Sequence, residues 1–456
     1  MAPTVRSFSA AFEPLDLVAQ FPEHYPGLLE SGAALLGGRG PRYDILPFAS
    51  GQSLRLDSQR VLTGEYANGA GFLGALEAWW KALQLPAGSD ASSSEPQLPF
   101  TGGWLLYLGY ELAAEIEPCL NLPAGGDAVI ALALRTPAAW VRDRAAGKAW
   151  LVAESGCESM LDEFEDRVRH LRAAPPSIGP SFAIEEDDPE IFLDGVHRAL
   201  EYTAAGDVYQ TNLSRQWRGL ATKRVSPVDI YRRLRSANPG PYAALLSCPE
   251  FSLLSSSPER LVAIRGNSVV TRPIAGTRPR GVTAADDEAL IRSLLANEKE
   301  RAEHVMLIDL ERNDLGRVCS GGSVRVDEYM SVETYRHVHH IVSNVSGRLR
   351  EDVTPIAVIR ALFPGGTITG CPKIRCMQII AELEACSRGA YTGSMGYLNR
   401  DGSCDLNILI RTMSVQGGSI RFRAGAGIVA DSIPAQELAE TRAKAEGLLR
   451  ALDVLR

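Results

Sequence analysis

The 456-residue sequence contains no apolar run approaching the roughly 18 residues a membrane-crossing helix needs, so no membrane partner is expected. Its eight cysteines lie scattered at 119, 157, 248, 319, 371, 376, 386 and 404, with no CxxC pair. That spacing offers no disulfide framework and suits a reducing cytosol. The opening MAPTVRSFSAAFEPLD lacks a continuous apolar core before its first acid, so no secretion signal is expected and the chain reads as cytoplasmic. There is no GxxxxGK[ST] and no GxGxxG opening a helix, which removes the P-loop and dinucleotide signatures. The nucleophile elbow GxSxG is missing as well. No cysteine sits in a glutaminase-like glycine-flanked turn, so a reaction that consumes glutamine nitrogen needs a second polypeptide to release it. Positive charge is in deficit: 47 Lys and Arg against 55 Asp and Glu leave a net charge of −8, and nucleic acid is not an expected partner.

What is there is a composition of 45% hydrophobic and 22% charged residues, close to a soluble globular average. Two stretches read as connectors: PAGSDASSSEPQLP (86–99), and AAPPSIGPSFAIEEDDPE (173–190) with its four prolines and acidic run. The second divides an N-terminal region, 1–174, from a C-terminal one, 189–456; whether these are domains or lobes of one compact unit stays open. Strand-like runs lie at 43–48, 102–110, 251–257, 261–272, 389–398, 405–415 and 419–429. Helical patterns occupy 71–85, 286–315 and 433–455. Long helical blocks inserted among glycine-separated strands favour α+β over regular βαβ alternation.

Candidate chemistry begins on the last helix. At about 100° per residue, Glu437, Glu440 and Lys444 share an arc of about 60°, beside the apolar arc of Leu438, Thr441, Ala445, Leu448, Leu449 and Leu452. Two such carboxylates repel unless a cation lies between them, and hard oxygen ligands suit Mg²⁺. The plainer reading of this helix alone is an i,i+4 pair between Glu440 and Lys444. A second acidic helix carries Glu300 and Glu303 ahead of DLERNDLGR (309–317). Glycine-rich FPGGTITGCPK (363–373) and RAGAGIVADS (423–432) could present backbone N–H groups to an anion, and TRPIAGTRPRG (271–281) is a rigid frame for close approach or a simple hairpin. The cluster HVHH (337–340) has no companions at zinc-ligand spacing; a single histidine acting on protons is the better reading.

Taken in order, the strings GDVYQTNLS (206–214), SSSPERL (255–261), RPIAGTRPRG (272–281), AEHVMLIDLERNDLGR (302–317), HHIVSNVSG (339–347), GGTITGCPKIR (365–375), GSMGYL (393–398), NILIRT (407–412), GAGIVADS (425–432) and ELAETRAKA (437–445) resemble the chorismate-utilising enzymes. That family includes anthranilate synthase component I, aminodeoxychorismate synthase component I, isochorismate synthase and salicylate synthase. LLESG (28–32), RYDIL (42–46) and PFTGGWLLYLGYEL (99–112) extend the resemblance more loosely. It implies an α+β fold of two large packed antiparallel sheets flanked by helices, with strands from both halves of the chain.

The resemblance also implies a substrate, chorismate, with a hydroxyl at ring carbon 4 and an enolpyruvyl ether at carbon 3. Glu303 and Glu440, with Glu437 through water, would hold Mg²⁺ at the ring carboxylate. Arg411, Tyr391 and the backbone of Gly425 and Gly427 would grip the enolpyruvyl carboxylate. Gly276, Thr277 and Thr367 would line the pocket. Glu259 would protonate the departing hydroxyl, which calls for a raised pKa. His340 would lie beside the ring, and Lys444 would neutralise part of the acidic cluster. Members that add water carry a lysine where this chain has Gln210, so ammonia, supplied by a glutamine amidotransferase subunit in a heterodimer, is the expected nucleophile.

Most aminodeoxychorismate synthases place a nucleophilic lysine in the PIxGT frame, where this chain has Ala275, as anthranilate synthases do. Asn212, Ser255–Ser256, the isoleucine-threonine of GGTITG and RYDIL point the other way. On those four features the expected activity is aminodeoxychorismate synthase component I acting without a covalent lysine intermediate, in the folate and para-aminobenzoate route. The alternatives are anthranilate synthase component I, with tryptophan at the LLES segment, and a non-catalytic ligand-binding or scaffold protein.

Overall fold

The computed structural model describes residues 2–32, 42–69, 71–85, 97–173, 182–221, 226–335 and 338–453. Residues 86–96 of the first connector, 174–181 of the second, and His337 of the histidine cluster lie outside the described residues. Among the described residues, two antiparallel sheets of 12 and 11 strands carry the architecture. This is the α+β arrangement expected from the resemblance.

Strands from before residue 174 and after residue 189 interleave in both sheets. In the first, Gly27–Glu30 pairs with Tyr242–Ser247, with Leu28 opposite Leu245. In the second, Gly103–Leu108 pairs with Ser394–Asn399, with Leu106 opposite Gly396. The inner faces meet in an apolar layer of Leu105, Tyr107, Leu246, Leu253, Met395 and Leu409. The helix Pro434–Ala451 packs with Pro227–Ala237 on the outer face of the first sheet, burying Tyr231, Leu234, Leu448 and Leu449 with Trp140 and Phe422. The helix Glu298–Gly316 buries Ile308 and Leu315 with Val262 and Ile359 on the other side. The order is therefore helix, sheet, sheet, helix, with one apolar face of each element covered. Among the described residues no helix is long and apolar enough to cross a membrane.

Three expected elements divide where local chemistry overrides the pattern. The strand-like run 261–272 is a hairpin of Arg260–Arg265 and Ser268–Arg272, turning at Gly266 with φ +57°. The helical stretch 286–315 is two helices, Ala284–Ala296 and Glu298–Gly316, because Asn297 ends one and caps the next, its side chain accepting from the Glu300 backbone N–H. The strand-like run 405–415 is likewise two strands, Cys404–Asn407 in the second sheet and Thr412–Gln416 in the first. The link between them turns at Arg411, whose φ is +53°, and that turn carries the arginine across from one sheet to the other.

Candidate active site

The first sheet supplies a floor. Strand Gln210–Ala221 pairs with Ser419–Ile428 so that Asn212 lies opposite Gly427 and Ser214 opposite Gly425. A Cβ on Gly425 would come within 2.5 Å of the Leu213 carbonyl, 2.7 Å of Tyr391 Oη and 2.9 Å of Asn212 Oδ1. A Cβ on Gly427 would meet Gln210 Nε2 at 2.1 Å. The glycines therefore let the polar ends of Gln210, Asn212 and Tyr391 lie on bare backbone. Gln210 Oε1 and Asn212 Oδ1 are buried acceptors without a hydrogen-bond partner among the described residues. Left so, each costs on the order of 1–3 kcal/mol, which a bound donor would recover. Lys444 reaches in from the C-terminal helix and donates to the Gly425 carbonyl at 2.9 Å.

The second sheet supplies the wall. Its edge strand Ile274–Pro279 runs against Val338–Arg348, with a register break between Ala275, opposite Ile341, and Thr277, opposite His340. Gly276 fills that break at φ +66°, a left-handed conformation for which glycine is suited. The bulge turns Thr277 Oγ1 to within 3.0 Å of His340 Nδ1. Burial, and then the nearby Arg411, press the His340 ring down to about 4, so it is neutral across the physiological range.

Between floor and wall stands Glu259. It follows strand Ser252–Ser257, is 5% exposed, and is held by its backbone, which donates to Ser257 Oγ at 3.2 Å and accepts from Ile408 N at 3.0 Å. Among the described residues its Oε1 has no hydrogen-bond partner. Desolvation pushes its carboxyl up to about 7, and the nearby Glu311 adds to the rise; the Thr367 hydroxyl, the Ile274 backbone N–H and Arg411 oppose it. Burial presses the Arg411 guanidinium down, while Tyr391, Glu259 and Glu440 all act on it in the opposite sense. Arg411 is thus electrostatically joined to the acid, the tyrosine, the histidine and the C-terminal helix.

The expected metal trio is placed differently. Glu303 stands on the helix Glu298–Gly316 and Glu440 on Pro434–Ala451, and among the described residues no group of three His, Cys, Asp or Glu side chains is drawn together closely enough to hold an ion. Each acid turns instead to a lysine one turn away on its own helix, Glu303 to Lys299 at 3.9 Å and Glu440 to Lys444 at 2.5 Å. The reason is like-charge repulsion across the cleft. Burial raises Glu303, and Glu437, Glu440 and Glu300 raise it further. Glu437 is buried and Glu440 exposed, so the helix straddles the cleft edge. The acidic set is also larger than expected. Glu300 pairs with Arg278 at 2.7 Å, yet its Oε2 is buried without a partner and lies 2.2 Å from where a Gly276 Cβ would be. Glu300, Glu303, Glu437 and Glu440 are hard oxygen donors of the kind Mg²⁺ takes, spread over two helices and, among the described residues, not gathered into a site. Glu300 was legible only as an acid one turn before Glu303.

A second space lies behind the site. A cavity of about 1230 Å³ between the sheets is lined by Leu29, Glu30, Ser31 and Tyr43 of the LLESG and RYDIL segments, with Met395 and Tyr397 opposite. Ser31 is anchored through its N–H to Asp44 Oδ1 at 3.1 Å and through its hydroxyl to the Tyr43 carbonyl at 2.9 Å.

The chorismate binding enzyme family model matches residues 45–450, and the chain belongs to that family. It is 44% identical over 368 residues to the anthranilate synthase component I-like protein of Synechocystis, covering 78% of this chain and 74% of that one. It is 42% identical over 405 residues to aminodeoxychorismate synthase component 1 of Bacillus subtilis, covering 84% and 82%. The crystal structure of anthranilate synthase component I from Streptococcus pneumoniae superposes with a TM-score of 0.78 at 31% identity, covering 91% and 94%.

Proposed function

We propose that the chain aminates chorismate with ammonia. Ammonia adds to ring carbon 2, the double bond shifts, and the 4-hydroxyl leaves as water with a proton from Glu259. The observation that carries this reading is the Glu259 carboxyl, buried and raised to about 7 within reach of Arg411, so that a proton is held where an anionic substrate binds. Arg411, Tyr391 and the glycine floor receive the enolpyruvyl carboxylate, and Lys444 adds positive charge at that edge. Thr277, Thr367 and the neutral His340 ring orient the carbon-4 side. Glu303 and Glu440, with Glu300 and Glu437 on the same two helices, would hold Mg²⁺, which would supply charge for the ring carboxylate. Gln210 and Asn212 offer acceptor oxygens and no base, which suits a nucleophile that needs hydrogen-bond acceptors but no deprotonation. The ammonia comes from a glutamine amidotransferase partner.

Of the two amination products, Ala275 favours anthranilate: a methyl group stands where a covalent lysine would act. Two of the three relatives described above are anthranilate synthase components or like them, which supports the same product and reverses the weighting drawn from the motifs alone. Loss of pyruvate from the 2-amino intermediate then completes the reaction, and the cavity at Ser31 is where a regulatory or structural tryptophan would sit. A second reading, 4-amino-4-deoxychorismate, is favoured by Asn212 and by the Bacillus subtilis relative. In that case a second ammonia enters at carbon 4 and expels the first. Chromatography with mass detection, after incubation with chorismate, Mg²⁺ and ammonium, separates them: anthranilate supports the first reading, and 4-amino-4-deoxychorismate overturns it in favour of the second.

A further inference from the structure

Arg388 takes no part in the reaction as described, yet its side chain is only 1% exposed and its guanidinium touches several segments that build the site. Nη2 donates to the Asn212 carbonyl at 2.7 Å, on the floor strand. Nη1 donates to the Ile368 carbonyl at 3.1 Å, in the short turn that also carries Thr367, and to Thr392 Oγ1 at 3.3 Å. Nε and the second N–H of Nη2 go to the two oxygens of Glu384, at 3.1 and 2.7 Å. A guanidinium has five N–H groups, and all of them are directed at protein oxygens. Arg388 therefore acts on its neighbours and has no donor left for a ligand.

The neighbours are themselves fixed. Glu384 accepts from Ser214 N and Oγ, both at 2.8 Å, and from Arg423 Nη2 at 2.9 Å. Ser214 lies on the floor strand opposite Gly425. Thr392 accepts from Arg388 and donates to the Tyr391 carbonyl at 2.5 Å. Arg388 Cζ lies over the Tyr391 ring, 5.5 Å from its centroid, and its own carbonyl accepts from Tyr391 N at 3.1 Å. Tyr391 is thus held by its ring face and by its backbone on both sides. Its Oη is left over the bare backbone of Gly425, 2.7 Å from where a Cβ would be. A lysine could supply the charge but not these contacts, because three donors around one point cannot replace a planar fork.

We propose that Arg388 is a positioning residue for Tyr391, a clamp between the floor strand and the turn at Tyr391 that sets the phenol where the substrate carboxylate binds. The inference rests on the reading of Tyr391 as part of the grip on the enolpyruvyl carboxylate. Loss of the clamp then falls on affinity for chorismate, and only while the Tyr391 hydroxyl is there to be placed.

The test is a double-mutant cycle on chorismate affinity, measured by calorimetry with Mg²⁺ and without ammonium, below the Tm of every variant. Arg388→Lys should raise Kd about tenfold, as Tyr391→Phe should. In the Tyr391→Phe background, Arg388→Lys should change Kd by less than about twofold. A role confined to stability lowers Tm and leaves Kd alone, or raises Kd equally in both backgrounds; either result overturns the inference. Thr392→Val keeps the test open should Arg388→Lys not fold. It removes the hydroxyl that joins Arg388 to the Tyr391 carbonyl, so Kd should rise about threefold, and an unmoved Kd overturns the clamp. Tyr391→Phe separates the two claims. If its Kd equals that of wild type, the carboxylate reading of Tyr391 fails and takes the inference with it. If its Kd rises while that of Arg388→Lys does not, only the inference fails.

Discussion

Thr277 Oγ1 lies 3.0 Å from His340 Nδ1, across the one place where the edge strand and its neighbour lose register. That contact exists because Gly276 takes a left-handed φ and inserts an extra residue, so Thr277 turns toward the ring pocket. The same bulge leaves Ala275 beside Gly276, where its methyl group offers no nucleophile.

Replacing Glu259 by Gln should separate activity from stability. Loss of the proton donor is expected to lower kcat by about 10²-fold or more. The folded carboxyl is raised from 4.5 to about 7, so its protonated form is favoured in the folded state. Stability from this group is fully present below about pH 4.5 and is lost as pH rises through about 7. Glu259→Gln should therefore be more stable than wild type at pH 8, by up to roughly 3 kcal/mol, and no more stable at pH 4.5. Thermal unfolding at both pH values reads the difference.

The two floor glycines should respond differently to alanine. At Gly425 the added Cβ meets the Leu213 carbonyl, which is backbone and cannot step aside, so Gly425→Ala should cost about 1–3 kcal/mol. At Gly427 the obstacle is the amide end of Gln210, a side chain that can rotate. Gly427→Ala should keep nearly wild-type Tm while displacing Gln210, with the rise falling on KM for ammonia. Unfolding curves and steady-state kinetics distinguish the pair.

Glu303 and Glu440 should each be needed for binding of Mg²⁺, independently of turnover. The wild-type Tm is expected to rise with Mg²⁺, by an amount equivalent to about 2.7 kcal/mol at a hundred times Kd. Glu303→Gln and Glu440→Gln should lose most of that rise. An undiminished rise in both variants would show that the ion binds elsewhere.

Gln210→Lys would place an amine on the floor beside Gly427. A lysine there can take a proton from water, as Gln210 cannot, so part of the chorismate should go to an oxygen-containing isomer rather than an aminated product. Product mass reads this directly: retention of amination alone would remove Gln210 from the choice of nucleophile.

Much of the fold was legible because both sheets are built from runs whose apolar and glycine pattern is local. Ser419–Ile428 and Ser252–Ser257 lie where the pattern puts them. What the pattern missed were breaks made by single residues. Asn297 caps a new helix by one side-chain bond, and Arg411 turns the chain between sheets at positive φ; neither interrupts hydrophobic periodicity. The strings around Glu259, His340, Tyr391 and Arg411 singled out side chains that the fold links electrostatically, but Glu300 and Glu311 looked like ordinary helix acids. Their burial depends on Gly276 and Gly366 passing over them from other segments, and one helix seen alone carries no sign of that.

The most direct test of the account is incubation of the protein with chorismate, Mg²⁺ and ¹⁵N-ammonium at pH 8, followed by mass analysis of the products. The account predicts consumption of chorismate with one ¹⁵N in the cyclic product and loss of the 4-hydroxyl oxygen. Chorismate converted only to a nitrogen-free isomer, or left unconverted by folded protein, would contradict it.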